Sequence, residues 1–173
     1  MKYGIAVFPP KSIQDTANSL RKRYDPNYSL IPPHLTVREA GETDETGLQH
    51  IISHLNQLTA ELAPFPITFN RFSTFYPVNP VIYMATADPE PFRRLHRKVC
   101  SGPLEVANPR YEFHPHLTIG QNLNNDELHD VLASLRNRPI DLTFIADRLH
   151  LLYQTDNRAW TTHQTFLLQG TPI

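Results

Sequence analysis

Hydrophobic and polar positions change period repeatedly along the chain. Tyr3 to Phe8 alternates as a strand does and stops at Pro9-Pro10. Ser12 is placed to cap the next segment, with Asp15 three residues on, and Ile13, Ala17, Leu20 and Tyr24 recur at helical spacing. Asp25-Pro26-Asn27 stops that helix, and a proline-stiffened approach leads to a strand, His34 to Arg38. Leu48, Ile51, Ile52, Leu55, Leu58 and Leu62 draw one helical stripe, closed by Pro64 and Pro66. Ile67 to Phe75 and Val81 to Ala87 read as a hairpin turning through Tyr76-Pro77-Val78-Asn79-Pro80. Asp88 with Pro89 opens a helix whose apolar side is Phe92, Leu95 and Val99. A loop from Gly102 to Arg110 precedes a strand, Glu112 to Gln121. Asn124 and Glu127 frame the start of a last helix, striped by Leu128, Val131, Leu132 and Leu135. Three strands close the chain, Ile140 to Ile145, Leu149 to Gln154 and Trp160 to Leu168, with Asp156-Asn157 turning between the last two.

Helices alternating with strands, with two hairpins among them, predict an α+β fold of antiparallel sheets covered by helices on one face. No linker or low-complexity segment divides the chain, so residues 1–173 are expected to form one domain. Charged residues make up 19% and hydrophobic ones 40%, which is ordinary for a packed domain and excludes a disordered tail. The single cysteine, Cys100, excludes a disulfide framework and a multi-cysteine zinc site. No apolar run has the length of a signal peptide or a membrane span, so a cytoplasmic protein is expected. A net charge of −1 argues against tight binding of long duplex nucleic acid. Six glycines in no G-x-G-x-x-G or G-x-x-x-x-G-K arrangement exclude the usual phosphate cradles.

One repeat carries chemistry. Pro33-His34-Leu35-Thr36-Val37 recurs as Pro115-His116-Leu117-Thr118-Ile119, each copy after a helix and a loop and before a capped helix and two strands. Two related halves about a pseudo-two-fold axis are the simplest origin. Strand alternation puts His34 and Thr36 on one face and Leu35 and Val37 on the other, and likewise in the second copy. With the apolar pairs against helices, two imidazoles and two hydroxyls are expected to converge on a central cleft. That set suits phosphodiester cleavage without a metal. One neutral imidazole takes a proton from the attacking hydroxyl or water, and one imidazolium gives a proton to the leaving oxygen. The hydroxyls donate to non-bridging phosphate oxygens.

These two H-x-T-x tetrapeptides resemble those of the 2H phosphoesterase superfamily, which includes RNA 2′,3′-cyclic phosphodiesterases and 2′,5′ RNA ligase-like proteins. Arg21-Lys22-Arg23-Tyr24-Asp25-Pro26, Tyr28-Ser29-Leu30-Ile31-Pro32-Pro33 and His150-Leu151-Leu152-Tyr153-Gln154 are similar to its YjcG branch, over nearly the whole chain. The resemblance implies a bilobal α+β fold with the motifs on central strands of each lobe, and catalysis without metal or cofactor. It gives His34 the proton donor's role, His116 the acceptor's, and Thr36 and Thr118 the binding of phosphate. The implied ligand is a small phosphodiester, nucleotide or RNA end, handled by a monomer. The near-symmetry of the halves leaves acid and base unassigned by the residues themselves. A phosphate or RNA-end binder without turnover is the alternative reading.

Other candidates weigh less. His114 shares a face with His116, but nothing completes a metal site at motif spacing. His50 and His54 sit four apart on a helix and read as a solvated face; Cys100 reads as a small hydrophobe. Arg38 is a candidate phosphate contact and Tyr153 a candidate cleft contact, with Phe75 and Trp160 as candidate stacking rings. Arg21-Lys22-Arg23 reads as the solvated C-terminal end of a helix, where cations are favoured.

Overall fold

The structure, a computed structural model, describes residues 1–172. Four helices and eight strands follow in the order β1 (Lys2–Val7), α1 (Lys11–Tyr24), β2 (Leu35–Glu42), α2 (Glu45–Glu61), β3 (Phe65–Thr74), β4 (Ile82–Thr86), α3 (Glu90–Val99), β5 (His116–Gly120), α4 (Asn125–Arg136), β6 (Leu142–Ala146), β7 (Arg148–Gln154) and β8 (Trp160–Leu167), with one short 3-10 turn at Gly102–Leu104. The strands form two antiparallel four-stranded sheets, ordered β2-β1-β7-β8 and β5-β4-β3-β6. The α+β architecture expected from the alternation is the one observed.

The two sheets correspond strand for strand: β2 with β5, β1 with β4, β7 with β3, β8 with β6. One strand of each half therefore crosses to the other half's sheet, β3 lying beside β4 and β7 beside β1. The motif strands depart from expectation here. β2 and β5 are the end strands of their sheets, and they are central only in the molecule, where they lie against each other at the seam between lobes.

The core explains why the motif strands sit still. Leu35, Val37, Leu117 and Ile119 are completely buried, as strand alternation requires of the apolar partners of His34, Thr36, His116 and Thr118. The predicted stripes of α3 (Phe92, Leu95, Val99) and α4 (Leu128, Val131, Leu132, Leu135) are buried throughout. Asn124 caps α4 by accepting from the Glu127 amide at 2.9 Å. Ser12 does not cap α1. That helix starts at Lys11, two residues before a Ser12 cap would start it, and the Pro10 carbonyl, extended at ψ 165°, accepts from the Ile13 and Gln14 amides.

Each helix preceding a motif packs against the other motif's strand. α1 lies on β5, where the Gln121 amide donates to the Tyr24 carbonyl (3.0 Å). α3 lies on β2, where His96 Nδ1 donates to the Val37 carbonyl (2.7 Å). This close approach also explains why Gly120 stands where the first motif has Arg38. A Cβ at position 120 would lie 3.0 Å from the Tyr24 Cβ and 3.4 Å from its carbonyl oxygen, leaving no room for a longer side chain.

Candidate active site

Pro33 and Pro115 fix how each catalytic candidate is presented. A residue before proline is held extended, so the carbonyl two residues before each histidine has a defined direction. His34 Nδ1 meets the Pro32 carbonyl at 2.9 Å and His116 Nδ1 meets the His114 carbonyl at 2.8 Å. A carbonyl only accepts, so in both rings Nδ1 carries the proton and Nε2 is left for chemistry. Each ring also packs edge-on against a phenylalanine, His34 on Phe8 (centroids 6.3 Å apart) and His116 on Phe75 (4.9 Å). The two halves thus solve the same orientation problem in the same way.

The four motif residues line one cleft of about 270 Å³, together with Gly4, Ala6, Asp25, Arg38, Glu39, Gln121, Leu152 and Trp160. His34, Thr36, His116 and Thr118 are each half-buried. The volume is near the lower end for small-ligand sites, enough for a phosphate and part of what it is attached to, and far too small for a duplex.

Burial sets the electrostatics. His34 is pushed down to about 4, first by burial; the nearby charges of Arg21 and His116 push the same way, against the Pro32 carbonyl and Asp25. His116 is lowered too, again chiefly by burial, with the His114 carbonyl and Glu39 opposing. Both rings are therefore neutral at pH 7 in the free protein.

The remaining candidates separate cleanly. Arg38 reaches the cleft, held by Nε donating to the Leu104 carbonyl (3.1 Å) and Nη1 to the Glu39 carbonyl (2.6 Å). Tyr153 does not line it. Gly4 pairs with Leu152, so Leu152 takes the cleft face of β7 and Tyr153 the opposite one. Trp160 lines the cleft, whereas Phe75 stacks on Tyr83 (4.3 Å) beside His116. Cys100 is half-buried, its thiol pushed up to about 11 by burial, which makes it a poor nucleophile. His50 is exposed, but His54 is not solvated; its Nε2 bonds the Val99 carbonyl at the end of α3 (3.1 Å). No group of three or more metal-ligating side chains occurs among the described residues, and no described helix is long and apolar enough to cross a membrane.

Sequence reasoning missed the polar network behind His34. Lys22 and Arg23 are solvated, but Arg21 is buried at 1% exposure. Its Nε donates to Asp25 (3.1 Å), Nη1 to Asn18 (2.8 Å) and Nη2 to the Ile31 carbonyl (2.7 Å). The other Asp25 oxygen accepts from the Asn27 amide (2.9 Å) and from Gln121 Nε2 (2.7 Å), just beyond the second motif. One ion pair thus ties together the end of α1, the approach to His34 and the end of β5. The spacing of Arg21 and Asp25, four apart at a helix end, was the available signal.

Comparison with known proteins places this geometry. The family model described as 2′-5′ RNA ligase superfamily matches residues 9–158. A protein of Bacillus licheniformis, provisionally named a phosphoesterase, is 50% identical over 168 residues, covering 97% of this chain and 99% of its own. A similarly named protein of Oceanobacillus iheyensis is 48% identical, covering 97% and 98%. Among solved structures, LigT of E. coli complexed with 3′-AMP superposes with a TM-score of 0.75 at 14% identity, covering 96% of this chain and 97% of that one. TT0787 of Thermus thermophilus gives 0.72 at 19% identity, covering 98% and 99%. At those identities the structural likeness speaks for the fold. The family match, spanning most of the chain, and the near-complete relatives speak for descent: the chain belongs to the 2′-5′ RNA ligase superfamily, the 2H phosphoesterase group.

Proposed function

We propose that the protein is a phosphoesterase that opens a 2′,3′-cyclic phosphate or cleaves a 2′-5′ linkage on a nucleotide or RNA end, without a metal. The carrying observation is the pair of imidazoles that each spend Nδ1 on a backbone carbonyl and share one small cleft. The neutral ring accepts a proton from water, whose oxygen attacks phosphorus. The ester bond to the leaving ribose oxygen breaks, and the protonated ring supplies that oxygen's proton. One water is consumed, a phosphomonoester is formed, and proton exchange with solvent resets the rings. Thr36 and Thr118 donate to the non-bridging oxygens. Small nucleotides as ligands are supported by those held in the E. coli LigT structures, 3′-AMP, ATP and NADP+.

Which ring is the donor depends on the bound state. In the free protein His34 is pushed down to about 4, which favours it as base. The donor's role for His34, implied by family resemblance, requires the substrate's negative charge to restore its proton affinity. The test is turnover of nucleoside 2′,3′-cyclic phosphates and 2′-5′ dinucleotides by the wild type, His34→Ala and His116→Ala, with chelator present. Each variant is expected to lose about 100-fold or more. A substrate with a nitrophenolate leaving group needs no acid, so it rescues the donor's variant alone: rescue of His34→Ala assigns the donor to His34, and rescue of His116→Ala reverses the roles. Wild-type rates in both variants, or binding with no turnover of any substrate, would overturn catalysis.

A further inference from the structure

We infer that the second lobe carries a separate anion subsite, formed by Arg71, Arg93 and His114, which takes a second phosphate of the substrate beside the one being cleaved. The inference rests on the phosphoesterase reading above.

The sheet register provides the geometry. His116 pairs with Ala85, and Ala85 pairs with Arg71, so His116 and Arg71 stand in one row on one face of the second sheet. Two strand spacings separate their backbones by about 10 Å. His114 lies on the same side, edge-on to the Phe75–Tyr83 pair that also contacts His116.

Among the described residues neither Arg71 nor Arg93 forms a salt bridge, and Glu90, the acid nearest Arg93 on its own helix, is taken by Arg97 at 2.8 Å. Arg93 Nε is buried with no hydrogen-bond partner. Such a donor is costly to leave unmade unless a ligand uses it. Arg71 is exposed but oriented, with Nη1 donating to Asn70 Oδ1 (3.0 Å) and the Thr86 carbonyl (3.2 Å). Both guanidinium charges reach His114 and hold its proton affinity down, after burial, with only Glu112 opposing. Two guanidinium groups without a paired carboxylate, beside a histidine, offer the planar donors that a phosphate group recognises.

The subsite predicts a preference for substrates with two phosphates. Uridine 2′,3′-cyclic phosphate, its 5′-phosphorylated form and a dinucleotide ending in the cyclic phosphate are compared in the wild type, Arg71→Gln and Arg93→Gln. Each variant is expected to lower kcat/KM on the two-phosphate substrates by about 10-fold or more and to change the single-phosphate substrate less than about twofold. Preference for the dinucleotide identifies an internucleotide phosphate, and preference for the 5′-phosphorylated form a terminal one. Equal losses on all three substrates, or no loss, would overturn the subsite. If the wild type turns over none of them, the phosphoesterase reading fails, and titration calorimetry with uridine 3′,5′-bisphosphate against uridine 3′-phosphate still decides the subsite. Tighter binding of the bisphosphate, lost in both arginine variants, supports it; equal binding sinks it.

Discussion

An imidazole that has given Nδ1 to a carbonyl has one nitrogen left, and burial decides whether that nitrogen holds a proton. For His34 the answer near pH 7 is no. Its affinity is pushed down to about 4 from the usual value near 6.5, chiefly by burial. The consequence for stability has a definite sign. Between about pH 4 and 6.5 the unfolded chain binds a proton at this ring and the folded one does not, so stability rises with pH across that window and is lost as pH falls through it. Urea midpoints of wild type and His34→Gln at pH 4.5 and 7 should show the steeper acid loss in the wild type; parallel losses would contradict the depressed affinity. Activity follows the same shift. Catalysis needs one ring neutral and one protonated, and both are lowered in the free protein. The bell in kcat/KM should therefore peak on the acid side of pH 6.5. A maximum above about pH 7.5 would mean that other groups limit the reaction.

At the scale of elements, the end of α1 does more than stop a helix. The Arg21–Asp25 pair is almost fully buried, with 2% and 3% of the side chains exposed. Removing one partner strands the other charge, so Asp25→Ala should cost about 3–5 kcal/mol in chemical denaturation. An apolar pair such as Arg21→Met with Asp25→Leu should recover most of that stability. It should not recover activity, because Arg21 also holds the Ile31 carbonyl, one residue before the carbonyl that orients His34, and Asp25 holds Gln121 beside the second motif. Full activity in that double variant would reduce the network to packing. This element also marks where the sequence stops being legible. The motif faces could be read from alternation, because a strand's two faces are set by the pleat alone, and Leu35, Val37, Leu117 and Ile119 are buried accordingly. Arg21 reads as solvated because nothing in its own helix shows that β5 packs there. Tyr153 reads as a cleft residue because alternation gives two faces without saying which is the cleft; pairing of Gly4 with Leu152 settles it. His54 likewise takes its partner from α3, far along the chain.

The whole molecule turns two similar halves into one unit by exchanging strands. β3 completes the sheet begun by β4, and β7 completes the sheet begun by β1, so neither half closes its own sheet. The motif strands, although last in their sheets, meet at the seam and place one histidine from each half on the same cleft. A cleft assembled in this way keeps its geometry only while both sheets stand. Local repetition in the sequence reveals two halves but not the exchange, since strand order depends on pairing between segments far apart. The exchange has a thermodynamic consequence. Lobes joined by a mere linker could melt separately; lobes that each lend the other a strand interior to its sheet lose pairing on both sides when either opens. Trp160, the single tryptophan, sits in the first sheet and lines the cleft, so its fluorescence reports that lobe, while far-ultraviolet circular dichroism reports all eight strands and four helices. The two signals should follow one urea transition with the same midpoint. A fluorescence change that precedes the loss of secondary structure would show the lobes unfolding independently, and the exchanged strands would then not couple them.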